Sequence, residues 1–150
     1  GFFSYAAGVA YQVLTNYRVR GLVIRNFKTD LPIKKGLSSS AAISVLTARA
    51  FNRVYDLRLT VRGEMELAYQ GEITTPSRCG RMDQGCAFGD RAVLMEFDGD
   101  RLSTEEIRPA RELHFVVVDL KAKKHTVEIL REAGLDQGQI DTLLASKAAL

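Results

Sequence analysis

The sequence predicts an α+β fold, a mixed α/β arrangement of helices and strands, and three observations carry that prediction. In the middle of the chain Ile43, Leu46, Ala50 and Val54 recur at spacings of three and four residues, the period of a one-faced helix. Strand-like runs stand at Leu22–Phe27, Arg91–Phe97 and Leu113–Asp119. Helical segments lie between these runs, and interleaved elements belong to mixed folds.

Each element has its own signal. Phe2 to Leu14 is apolar nearly all round, so a helix buried on several sides is expected there, although it starts without a cap or a polar turn. Leu22–Phe27 reads as a strand and is followed by the breaker Pro32. The small-residue loop Gly36-Leu37-Ser38-Ser39-Ser40 then enters a helix from Ser40 to Tyr55. Thr60 is placed to cap the next helix, with Glu64 in its first turn near the positive end of the helix dipole. The apolar stripe of that helix, Val61, Met65 and Ala68, reaches Glu72 when continued by four residues, and Thr74-Thr75-Pro76-Ser77 ends it. A strand over Arg91–Phe97 closes in the turn Asp98-Gly99-Asp100. Leu113–Asp119 is apolar enough for a buried strand. Two helices, near Thr126–Ala133 and Gln137–Ala149, are separated by Gly134.

Composition removes several classes of function. A chain of 150 residues can bury a real core, and 46% hydrophobic with 26% charged residues is the balance of a soluble globular protein. Its longest apolar runs fall far short of the ~20 residues that a membrane span needs, and no basic segment leads into an apolar one at the start. The two cysteines, Cys79 and Cys86, form neither a disulfide framework nor a zinc set, so a reducing, cytoplasmic setting is expected. A net charge of +3 does not argue for nucleic acid. Arg18, Arg20, Arg25, Lys28, Lys34 and Lys35 outweigh Asp30 locally, yet aromatics are not interleaved with them as base stacking requires. That basic stretch is either a solvated face or a positive approach to phosphates.

Gly36–Ala42 has the chemistry of an anion cradle. Gly36 permits a tight turn and a close backbone approach. Three small hydroxyl residues then lead into a helix whose first N–H groups have no intrahelical partner, and those groups together with the helix dipole favour an anion. Serine hydroxyls add phosphate donors and hard oxygens for Mg²⁺. Ala41 and Ala42 keep bulk away. The residues alone leave a second reading open, a serine-capped helix after a turn. A Walker A loop is excluded because no Lys-Ser or Lys-Thr pair follows the glycine. A serine hydrolase lacks its Gly-x-Ser-x-Gly elbow.

Two carboxylates follow. Glu72 comes after Gly71 on a buried stripe, where a carboxylate needs a partner or neutralises. Mg²⁺ is one such partner, Arg78 or Arg81 another, and fraying of the helix end into solvent is a third outcome. Asp83, eleven residues on, lies in the glycine-flanked segment Cys79-Gly80-Arg81-Met82-Asp83-Gln84-Gly85, which on its face is only a turn.

Pro32-Ile33-Lys34-Lys35-Gly36-Leu37-Ser38-Ser39-Ser40-Ala41-Ala42 resembles the second signature motif of the GHMP kinases, named for galactokinase, homoserine kinase, mevalonate kinase and phosphomevalonate kinase. That motif is Pro, three variable residues, Gly-Leu, a small residue and Ser-Ser-Ala, and every fixed position is met. The wording Gly-Leu-Ser-Ser-Ser-Ala-Ala is similar to that of galactokinases, as is Met82-Asp83-Gln84 followed by Phe88-Gly89 and a strand. The step from Glu72 to Asp83 is similar to the separation of metal-binding glutamate and catalytic aspartate in mevalonate kinases.

The resemblance implies a GHMP-kinase N-terminal domain (ribosomal protein S5 domain 2-like) over residues 1–112 and the start of the C-terminal domain over 113–150. It implies an ATP- and Mg²⁺-dependent transfer of the γ-phosphoryl group to a sugar hydroxyl. A sugar acid, a heptose or a mevalonate-type alcohol is the alternative acceptor, and a non-catalytic ligand sensor the alternative class. Pro32, Gly36, Leu37, Ser38, Ser39, Ser40, Ala41 and Ala42 would hold the ATP phosphates, Ser40 and Glu72 the Mg²⁺. Asp83 would be the base, with Arg81 a candidate helper that keeps it ionised.

The likeness runs roughly from Phe2 to His125. Phe2–Tyr17 is similar to the helix before the central strand of galactokinases. Val116-Val117-Val118 with Lys123-Lys124-His125 is loosely similar to a later strand and its Lys-His pair. Asp119 stands where galactokinases tend to carry Asn-Ser, which implies a different substrate pocket. The family's first and third motifs do not occur in these residues, so an internal fragment with little activity of its own is expected.

Overall fold

The computed structural model describes residues 3–33, 35–76, 79–119 and positions 136 and 139. The described elements are three helices, α1 (Phe3–Asn16), α2 (Ser39–Tyr55) and α3 (Val61–Ile73), a short 3₁₀ helix (Asp83–Phe88), and a hairpin of β1 (Ala92–Asp98) and β2 (Arg101–Ile107). Helix and strand content together make the α+β class.

The two central helices form where periodicity places them. In α3 the Thr60 side chain accepts a hydrogen bond from the Gly63 N–H at 3.2 Å, the expected N-cap. Its stripe is buried at Met65, Ala68 and Glu72. The core has two parts. Val45, Met65, Ala68, Ala87 and Phe88 pack α2, α3 and the 3₁₀ helix together, with Val93, Met95 and Leu102 of the hairpin against them. Val9, Val13, Ala48 and Phe51 pack α1 on α2.

Helix α1 is less buried than its composition predicts. Gly8, Val9 and Val13 are covered, whereas Phe3 is 85% and Tyr11 62% exposed. One face finds a partner in α2 and α3, and the described residues supply nothing for the other.

The hairpin turns where expected, with Asp98 opposite Arg101 across Gly99-Asp100. Its second strand was not foreseen in the sequence. Leu102 and Thr104 alternate inward while Ser103 and Glu105 face solvent, a half-buried strand whose polar residues mask its period.

Two expected strands are absent. Leu22–Phe27 and Leu113–Asp119 carry no regular structure, and Phe27 (96%) and Val116 (91%) are almost fully exposed. β-Propensity is realised only against a neighbouring strand, and neither segment has one among the described residues. The basic stretch from Arg18 to Lys28 is likewise mostly solvated, with Lys28 3.9 Å from Asp30. The helices expected near Thr126–Ala133 and Gln137–Ala149 lie outside the described residues, as does Lys123-Lys124-His125. Asp136 and Gln139 are described and exchange hydrogen bonds of 3.0 and 2.8 Å, the reciprocal pattern of a capping box.

Candidate active site

The Gly36–Ala42 segment enters α2 by an uncommon route. Gly36 has φ 82°, which glycine adopts without strain. Ser38, the N-cap residue, sits in the left-handed region at φ 53° and ψ 44°, and its side chain caps nothing. An N-cap residue ordinarily has extended dihedrals, and its side-chain oxygen accepts a hydrogen bond from an N–H of the first turn. A non-glycine residue in this region costs on the order of 1–2 kcal/mol. The first α-helical bond runs from the Ala42 N–H to the Ser38 carbonyl at 3.0 Å. The N–H groups of Ser39, Ser40 and Ala41 therefore precede the ladder, with no side chain of their own cap upon them. The serine-capped helix is not what the chain forms. Pro32 and Leu37 are exposed, Ser38, Ser39, Ser40 and Ala42 half-buried, and Ala41 fully buried. Beside the loop, Lys35 Nζ lies 3.1 Å from Asp119 Oδ1, which ties the loop to the extended Leu113–Asp119 segment.

Glu72 is 1% exposed, and α3 holds its form one residue past it, so the helix end does not fray there. Arg81 is not its partner. The Arg81 guanidinium meets Glu66 at 3.3 Å, donates to the Asp100 carbonyl at 2.9 Å, and lies 4.8 Å from the centre of the Tyr69 ring. It is therefore also spoken for as a helper of Asp83. Arg78 lies outside the described residues. The partner Glu72 does have is Gln84, whose Nε2 donates to Glu72 Oε2 at 2.8 Å and approaches Cys79 Sγ at 3.4 Å.

Three buried oxygens have no hydrogen-bond partner among the described residues: Glu72 Oε1, Gln84 Oε1 and Ser44 Oγ. Ser44 lies one turn beyond Ser40 on α2. A carboxylate oxygen left bare in the interior costs at least about 1–3 kcal/mol. A hard cation, with the waters it carries, is the kind of group that such oxygens accept. Sulfur does not compete. Burial, and next the charge of Glu72, push the Cys79 thiol up to about 12, so it stays protonated. Desolvation, then the charges of Asp83 and Glu72, also raise Cys86. Gln84, the neighbour of Asp83, bonds Glu72, which places the segments carrying the two carboxylates side by side. Among the described residues no three His, Cys, Asp or Glu side chains form a metal-holding group. A cation here would depend on Glu72, neutral oxygens and ligand phosphates, which is the manner of Mg²⁺.

Asp83 opens the 3₁₀ helix and is half-buried, with no hydrogen bond on its carboxylate among the described residues. No hydrogen bond among those residues joins Ser40 to Glu72 or Asp83. The three elements that carry them are joined instead by a network invisible in the sequence. Arg49 of α2 donates from Nε to Glu64 Oε2 of α3 at 2.7 Å and from Nη2 to the Ala87 carbonyl of the 3₁₀ helix at 2.7 Å. Asn52 donates to Glu64 Oε1 at 2.8 Å. Residues far apart in sequence make these contacts, so no local pattern announces them. Gln84 was missed for the same reason, although it adjoins Asp83. A cleft of about 730 Å³ beside the first turn of α3, lined by Arg62, Glu66, Arg81 and Leu102, is separate and includes none of Ser40, Glu72 and Asp83.

The uncapped start of α2, the buried Glu72 and an Asp83 carboxylate with no hydrogen bond among the described residues are carried by elements that pack on one another. The family model of the GHMP kinases N terminal domain matches residues 4–90, and the chain belongs to that family. Over 92 residues it is 34% identical to the galactokinase of Thermotoga maritima, covering 56% of this chain and 26% of that protein. The galactokinases of Thermotoga petrophila and Thermotoga sp. (strain RQ2) are each 33% identical over 92 residues, with the same coverage. The chain thus spans about a quarter of the length of the curated relatives it matches. No solved structure matches it. No helix among the described residues is long and apolar enough to cross a membrane.

Proposed function

We propose that this chain provides the nucleotide-phosphate cradle and the acceptor-activating carboxylate of an ATP- and Mg²⁺-dependent kinase that phosphorylates a sugar hydroxyl. The observation that carries the reading is the start of α2, where Gly36 and the strained Ser38 lead into a helix with no side-chain cap. Backbone N–H groups of Ser39, Ser40 and Ala41 would hold the phosphates, with Pro32, Gly36, Leu37 and Ala42 shaping the loop. Ser40 and Glu72 would hold Mg²⁺, which neutralises phosphate charge when bound. Residues 1–112 would form the family's N-terminal, S5 domain 2-like domain, and 113–150 the start of its C-terminal domain.

In the proposed reaction Asp83 orients the acceptor hydroxyl and takes its proton. The hydroxyl oxygen forms a bond to the γ-phosphorus as the bond to the bridging oxygen breaks, and ADP leaves. Phosphoryl transfer has a loose transition state, so positioning and charge neutralisation supply most of the catalysis. The galactokinase matches favour a sugar over other acceptors.

The test is transfer from γ-labelled ATP, by the full-length protein that contains this chain, to a panel of sugars, sugar acids, heptoses and mevalonate. A sugar should be labelled, and Asp83→Ala should lower turnover by roughly 10²–10⁴-fold while nucleotide binding persists. Labelling of mevalonate alone ends the sugar reading. Nucleotide binding without transfer to any acceptor identifies a ligand sensor. Undiminished turnover in Asp83→Ala removes the base.

A further inference from the structure

The contact between Gln84 and Glu72 has a consequence for the metal that goes beyond the kinase reading on which it rests. Gln84 is fully buried, and its Nε2 lies 2.8 Å from Glu72 Oε2. The NH₂ end of the Gln84 amide faces the carboxylate as its donor, so the amide oxygen points elsewhere. One oxygen of Glu72 is thereby occupied, and Oε1 is left buried and unpartnered. Gln84 Oε1, itself buried and unpartnered, adds a neutral hard oxygen.

We infer that Gln84 is a positioning residue that sets cation selectivity: by holding Oε2 it confines Glu72 to one-oxygen ligation through Oε1, so the site takes Mg²⁺ in preference to Ca²⁺. The physical basis is coordination geometry. Mg²⁺ demands a near-ideal octahedron of single oxygens and keeps several waters. Ca²⁺ takes six to eight oxygens and favours carboxylates that chelate with both oxygens. A carboxylate with one oxygen tied to an amide suits the first ion and penalises the second. Partners of metal ligands are worth about 10–100-fold in metal affinity. The same contact ties the 3₁₀ helix to α3, so the residue beside Asp83 is also the one that anchors Glu72.

The experiment measures bound Mn²⁺ by electron paramagnetic resonance in the presence of ATP, displaced by Mg²⁺ or by Ca²⁺, in the full-length protein that contains this chain, unmodified and as Gln84→Met. Gln84→Met keeps volume and removes the donor. The Mg²⁺-over-Ca²⁺ preference should fall about tenfold or more, with Ca²⁺ gaining. A purely structural role would weaken both ions alike and leave the ratio unchanged, and an unchanged ratio overturns the inference. Should Gln84→Met fail to fold, infrared difference spectra of the unmodified protein against Glu72→Gln decide. A wide carboxylate splitting with Mg²⁺ marks one-oxygen ligation, and a narrow, chelating one overturns the inference. A protein that binds no Mn²⁺ with ATP overturns the kinase reading itself and this inference with it. Binding with an unchanged ratio overturns only the role of Gln84.

Discussion

Gly8 and Gly71 meet where α1 crosses α3, and a Cβ on either would strike the backbone of the other helix. At Gly71 the added carbon would stand 2.5 Å from the Val9 nitrogen, and at Gly8 it would run into the Gly71 carbonyl. Glu72 is the next residue, so this crossing sets how deep its carboxylate lies. Gly71→Ala should gain up to about 1 kcal/mol of helix propensity. It should lose more to overpacking, about 1–3 kcal/mol or beyond, because backbone cannot swing aside as a side chain can. A lowered urea midpoint is the expected result and, under the proposed role of Glu72, weakened Mg²⁺ binding with it. A midpoint at or above that of the unmodified protein would show that the helices separate at no cost.

Ser38 and Thr60 stand at equivalent positions before α2 and α3, and only Thr60 caps its helix. Thr60→Ala should therefore cost about 1 kcal/mol, the usual worth of a cap. Ser38→Ala should change stability by less than about 0.5 kcal/mol, the range of surface substitutions without such a role. Denaturant titration of the two variants compares them directly. An equal cost at both positions would restore the serine-capped helix as the meaning of the loop.

The extent to which the sequence announced this structure follows from the range of each interaction. Thr60 and the stripe ending at Glu72 were legible because a helix writes its caps and its period locally. Asp98-Gly99-Asp100 was legible as a turn for the same reason. Leu22–Phe27 and Leu113–Asp119 were not, because apolar β-branched residues define only half of a strand and the partner defines the rest. The glycine-serine loop could be recognised, yet the left-handed Ser38 that leaves its helix uncapped could not. Gln84, Arg49 and the Gly8–Gly71 crossing act between segments distant in sequence, where no spacing rule applies.

Arg49 and Glu64 form a 2.7 Å ion pair in which the carboxylate side chain is 7% exposed. Removing one member leaves a buried charge, which costs about 3–5 kcal/mol in such pairs. Arg49→Met should approach the lower figure, since Asn52 still donates to Glu64. The double variant Arg49→Met/Glu64→Met should recover much of the loss, because replacing both partners leaves no stranded charge. Arg49 also holds the Ala87 carbonyl, so Arg49→Met should loosen the 3₁₀ helix and, under the proposed role of Asp83, lower turnover of the full-length protein. A double-mutant cycle in urea checks the coupling, and additive losses would mean that the pair is solvated in practice.

The Cys79 thiol, pushed up to about 12 by burial and then by Glu72, makes a probe of the site that needs no ligand. At pH 8 a thiol with the ordinary value of 9.0 is roughly a tenth ionised, and alkylation proceeds through the thiolate. Cys79 should therefore react with iodoacetamide at least about 100-fold more slowly than a free thiol, and more slowly than the exposed Cys86. Glu72→Gln removes the second cause and leaves the first, so it should accelerate Cys79 without restoring the full rate. The stability effect has a defined sign. The folded value lies above the ordinary 9.0, so the unfolded chain releases this proton first as pH rises. The contribution is whole below pH 9 and declines between 9 and about 12. The stability difference between the unmodified protein and Cys79→Ala should shrink over that window in urea titrations. A difference that grows with pH would reverse the shift, and with it the placement of Glu72 beside a half-buried, neutral sulfur.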